Sequence, residues 1–171
     1  MARTRRILVA LIGLFAAVLI ACGASNSSVD EEEQYTVATL ANITFEVPAE
    51  LSPTADSTDD WLAYSANDEV GVSAHVVDLP TNDEFLRKWV AEEWEYTEAS
   101  IAEKQEVNVS GHLGIYTRYD SLGEVAPDAT SEVLWFGDGE YLYRLQAGGK
   151  PESLVHEYYE HMQESIVFTK E

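Results

Sequence analysis

Apolar and polar positions alternate along most of this chain, and where the alternation stops a helical period replaces it. In residues 43–47, Ile43, Phe45 and Val47 take every second position, so a strand there buries one face. Residues 35–40 form a similar short run, and Pro48 stops the second. Residues 49–60, rich in Pro, Ser, Thr and Asp, read as loop. Strands are expected at 61–65 and 70–78, where Val70, Val72, Ala74 and Val76 share a face. The period then lengthens. Phe85, Leu86, Trp89, Val90 and Trp94 repeat at helical spacing over 82–96, and Thr81-x-x-Glu84 has the form of a capping box at its start. Four more strands are expected at 105–109, 112–119, 132–136 and 141–147, the last two joined by Gly137-Asp138-Gly139-Glu140. Pro151 opens a second helix with Leu154, Val155, Tyr158, Tyr159 and Met162 on one stripe, and 165–168 is a brief strand or extended tail. The order ββββαββββα predicts an α+β fold, an antiparallel β-sheet packed with two amphipathic helices.

The first 34 residues do not follow that pattern. Arg3, Arg5 and Arg6 precede fourteen uncharged residues, 7–20. That is shorter than the ~20 residues a membrane-spanning helix needs, and it has the form of a secretory leader. The run ends in Leu19-Ile20-Ala21-Cys22-Gly23, which resembles the lipobox of bacterial lipoproteins. In that pattern the leader is cut before the cysteine, whose thiol takes a diacylglycerol. Residues 1–21 are therefore expected to be a signal peptide, with Cys22 the lipidated residue. Residues 22–34, small, polar and then acidic, read as a flexible tether, and 35–171 as one folded domain. The expected location is the cell membrane, lipid-anchored on its extracytoplasmic face, periplasmic or at the cell surface.

Charge narrows the partners. The chain has 10 Lys and Arg against 31 Asp and Glu; losing Arg3, Arg5 and Arg6 leaves seven bases, a formal charge of −24. Phosphate neutralisation needs clustered bases, so the sequence excludes nucleic acid as a partner. It excludes electrostatic attachment to anionic headgroups for the same reason, and the lipid on Cys22 is left as the membrane attachment. With a single cysteine, no disulfide can form within the chain.

The chemistry-bearing residues form no signature. His156 and His161 are five apart, about 140° round a helix, whereas a zinc-protease helix places its pair four apart on one face. His156 with Glu160, and Glu157 with His161, have the spacing of solvated helix pairs. His75 and His112 read as partly buried structural histidines. The neighbours Asp59-Asp60, Asp68-Glu69 and Glu92-Glu93 do not converge in regular structure. There is no phosphate loop, nucleophile elbow or cysteine nucleophile, so no enzyme, cofactor or metal site is expected. Trp61, Trp135, Tyr116, Tyr119, Tyr141 and Tyr143 lie on strands, and some are expected on the sheet face that no helix covers. Exposed together they would make a binding patch.

Several motifs carry a family resemblance across about 41–169. They are Ile43-Thr44-Phe45-Glu46-Val47-Pro48, Trp61 heading a strand, and Val109-Ser110-Gly111-His112-Leu113-Gly114 before a long strand. Tyr141-Leu142-Tyr143-Arg144-Leu145 and the closing Ser165-Ile166-Val167-Phe168 complete the set. Together they resemble the PsbP-like family: PsbP photosystem proteins, Mog-type Ran-binding proteins and DcrB-type bacterial lipoproteins. The resemblance implies a non-catalytic accessory or assembly subunit that binds a protein in a membrane complex. The acidity departs from the basic docking surface of PsbP-type members. The alternative function is a cell-envelope binding module for a cation or small apolar ligand.

Overall fold

A computed structural model describes residues 34–66, 69–94, 100–121 and 126–169. Cys22, the signal peptide and nearly all of the tether lie outside the described residues. The elements, in order, are β1 (Tyr35–Leu40), β2 (Ile43–Pro48), β3 (Ser52–Pro53), β4 (Trp61–Ala66), β5 (Val70–Val77) and α1 (Asp83–Trp94). They continue with β6 (Ser100–Val109), β7 (His112–Ser121), β8 (Thr130–Gly137), β9 (Leu142–Gly149), α2 (Glu152–Glu164) and β10 (Val167–Phe168). The fold is α+β, as the alternation of periods implies.

The strands make two sheets rather than one. β1, β2 and β10 form a small sheet, and the other seven run β3-β4-β5-β9-β8-β7-β6. Every pairing is antiparallel. The inward residues of the small sheet, Leu40, Ile43, Phe45 and Val47, share a core with α2 and with one face of the large sheet. There Val155, Tyr158, Tyr159 and Met162 of α2 meet Val72, Ala74, Leu134, Tyr143 and Leu145. The opposite face of the large sheet packs Ile115, Val133, Trp135 and Leu142 against Leu86 and Val90 of α1. β8 is buried on both sides from Thr130 to Phe136. β6 lies at the sheet edge, exposed from Ile101 to Glu106, with register shifts between Ser100 and Glu103.

Three local departures have physical causes. Part of the expected loop adds a two-residue edge strand, Ser52 opposite Ser65 and Pro53 opposite Tyr64, an edge being where proline is tolerated. The cap of α1 is Asn82, not Thr81: Asn82 Oδ1 accepts from the Phe85 N–H at 2.9 Å. Thr81 instead donates its hydroxyl to Leu79 O at 2.8 Å and packs against Gly137, where a Cβ would come within 2.5 Å of it. At the entrance to α2, Gly149 has φ +132°, and a Cβ there would lie 2.0 Å from Glu69 O. Only glycine lets these backbones meet, so that Lys150 N–H can donate to Glu69 O at 2.9 Å.

Candidate functional site

The histidines of α2 take separate partners. His161 Nε2 is 2.7 Å from Glu46 Oε2, and its ring stacks on Tyr35 at 3.4 Å. His156 turns to the other side of the helix. His75 lies 5.3 Å from the Trp61 ring, and His112 lies 4.4 Å from Phe168, both partly buried. Among the described residues, no three His, Cys, Asp or Glu side chains are grouped to hold a metal ion.

His156 leads to a cluster that the sequence reading missed. Its Nδ1 sits 3.0 and 3.1 Å from the two carboxylate oxygens of Glu132, a side chain only 1% exposed in the middle of β8. Nε2 faces Glu160 Oε1 at 3.3 Å. Arg118 is the register partner of Glu132 on β7, and its Nη1 lies 3.5 Å from Glu152. The Tyr116 hydroxyl hydrogen-bonds to Glu132, and burial followed by the Glu132 charge pushes its pKa up. The hydrogen bond to Glu132 raises the His156 pKa above the ordinary 6.5; burial and Arg118 oppose this, and the Glu132 and Glu160 charges add to it. A signal was present: Glu132 is in phase with Leu134 and Phe136, and a carboxylate in step with core residues has to be buried with partners. This cluster docks α2 on the sheet.

A second polar cluster joins the two sheets at their turns. Asn42 Nδ2 donates to Asp138 Oδ2 at 3.2 Å and to Glu140 Oε2 at 3.3 Å, while the Tyr143 hydroxyl donates to Asp138 Oδ2 at 2.9 Å. Burial works to raise the Asp138 pKa. The N–H groups of Tyr141 and Glu140, with Tyr143 and Asn42, outweigh it and hold the carboxyl below its usual range.

The strand aromatics divide differently from the expectation. Tyr116 and Tyr143 are buried on the α2 side, while Trp135 and Tyr119 are buried in the core beneath α1. Arg144 lies over the Trp135 ring at 5.6 Å. Because both faces of β7 and β8 are covered, these rings do not form an exposed patch. Trp61 is different. Among the described residues, α1 packs over β7, β8 and the ends of β5 and β9 at Val77 and Leu142, leaving β4 and the rest of β5 and β9 to line a trough of about 910 Å³. Its wall includes Trp61, Ala63, Ser73 and Gln146, all partly exposed. This trough is the candidate binding site.

No known family profile matches the chain, and no curated protein matches it either. Solved structures do. Cyanobacterial PsbP (CyanoP) from Synechocystis sp. PCC 6803 superposes with a TM-score of 0.59 at 10% identity, over 86% of this chain and 99% of that one. A protein from Bacteroides thetaiotaomicron VPI-5482 superposes with a TM-score of 0.55 at 11% identity, over 81% of this chain and 49% of that one. At such identities the likeness concerns architecture alone. The domain has the α+β fold of cyanobacterial PsbP.

Proposed function

We propose that this protein is a non-catalytic accessory lipoprotein, held outside the cytoplasmic membrane by a lipid on Cys22, whose domain binds a protein of a membrane complex. The observation that supports it most is the match to CyanoP over 99% of that chain, on a sequence whose motifs resemble the PsbP-like family. Metabolic labelling with an alkyne fatty acid tests the anchor: Cys22→Ser abolishes incorporation, and unchanged incorporation sinks it. Crosslinking in intact membranes, followed by purification and mass spectrometry, tests the partner. One stable neighbour is expected; a protein recovered only as a lone monomer counts against the reading.

A second reading is a ligand-binding module of the cell envelope. The trough supports it, since about 910 Å³ is within the size range of small-molecule sites. Thermal-shift screening separates the two readings, because a ligand selective for the folded state raises the melting temperature.

A further inference from the structure

Four features of the trough specify the chemistry of what it holds. The first is charge. A chain with 31 acids surrounds its trough with one described acid, Glu69, and one base, Lys150, and that lysine is already 3.4 Å from Asp128. Among the described residues the lining therefore carries no net charge to select a charged ligand, and a basic partner has more attractive surface elsewhere. The second is Trp61, partly exposed at the head of β4 with His75 supporting its ring at 5.3 Å. The third is the hydrogen-bonding groups without charge, chiefly Ser73 and Gln146.

The fourth is Gly148. Its φ is not left-handed, and an added Cβ would meet nothing closer than Ser131 Oγ at 3.6 Å, an ordinary contact. The fold does not require glycine there, although glycine weakens a strand. Its effect is to keep the floor low beside Gly71, its register partner on β5. Besides bulges and bends, a strand glycine accompanies sites where a ligand or another backbone comes close.

We propose that the trough binds a neutral oligosaccharide, one sugar ring stacking on Trp61 and its hydroxyls hydrogen-bonding to Ser73 and Gln146. A sugar ring has an apolar C–H face for the indole and a rim of hydroxyls for uncharged polar side chains and water. A purely apolar ligand would leave one side in solvent in so open a trough. The proposal goes beyond the protein-partner reading and replaces the cation or small apolar ligand of the alternative function with a neutral, hydrogen-bonding one.

The test titrates the full chain, extracted in a detergent without a sugar headgroup, with maltohexaose, cellohexaose and the N-acetylglucosamine hexamer. Tryptophan fluorescence and backbone amide shifts are followed. The expected result is saturable binding of at least one sugar, with shifts concentrated on β4, β5 and β9. Affinity falls at least tenfold in Trp61→Ala and in Ser73→Leu, the second filling the floor while keeping the indole. Both variants are first checked for an unchanged melting profile. If either does not fold, the shift map on the unaltered protein decides. Absence of saturable binding to all three sugars, shifts confined elsewhere, or undiminished binding by the folded variants overturns the proposal. Failure here leaves the protein-partner reading standing, since co-purification tests that separately.

Discussion

On one side of the large sheet, α2 and the small sheet together bury β5, β9 and β8, and side chains such as Leu134, Tyr143 and Leu145 are at most 1% exposed. On the other side α1 covers β7, β8 and only the ends of β5 and β9 among the described residues, and Ser73, His75, Arg144 and Gln146 stay partly exposed. The same strands serve both sides, their residues alternating between them. The covered side carries the stability, and the uncovered half is free for recognition at little cost to folding.

That contrast can be broken most sharply at its centre. Phe136, fully buried on the α2 side, should cost about 3–5 kcal/mol when changed to alanine, read as a loss of urea midpoint. His156→Ala should cost less, about 1–2 kcal/mol, because the imidazole is 51% exposed and solvent screens part of its interaction with Glu132. The same contact is pH-dependent. With its folded pKa raised, His156 contributes stability that is present in full below about pH 6.5 and is lost as pH rises through the higher folded value. A pH series of melting curves should show that decline in the unaltered protein and a flatter profile in His156→Gln. On the other side of the sheet, Asn82→Ala removes the cap of α1 and should cost about 1 kcal/mol, with Thr81→Ser nearly silent as a cap change. Trp61→Ala should be the mildest, under about 1 kcal/mol. A Trp61 variant as damaging as the Phe136 one would erase the distinction between the two sides.

Local periodicity made the elements legible, because each amphipathic face has its own spacing: Ile43, Phe45 and Val47 are buried, and so are Val155, Tyr158, Tyr159 and Met162. It could not reveal that β1 and β2 form a separate sheet in which β2 pairs with β10, since that pairing joins residues more than a hundred positions apart. Nor could it sort Trp135 from Trp61. Both stand on the same side of the sheet, and only the position of α1 decides which is covered. The cap moved by one residue because Thr81 has a better use against Gly137. The trough needed three dimensions, its wall being drawn from three strands and the connections at Thr54, at Glu69, at Ala126 and Ala129, and at Lys150 and Pro151. Glu132, by contrast, was readable from its phase alone.

β6 presents ten residues at the rim of the large sheet, paired among the described residues only through β7. A free backbone rim of that length invites a second molecule to add its own strand, the first step toward fibrous aggregates. Here Glu103, Lys104 and Glu106 are exposed along it, Glu106 is held by Arg87 Nε at 2.7 Å, and the register slips near its start. A strand added along this rim would have to accommodate these exposed charges and would lose its register between Ser100 and Glu103. Even at high packing density, copies of this domain should stay side by side as separate molecules, with partners chosen by side chains rather than by backbone.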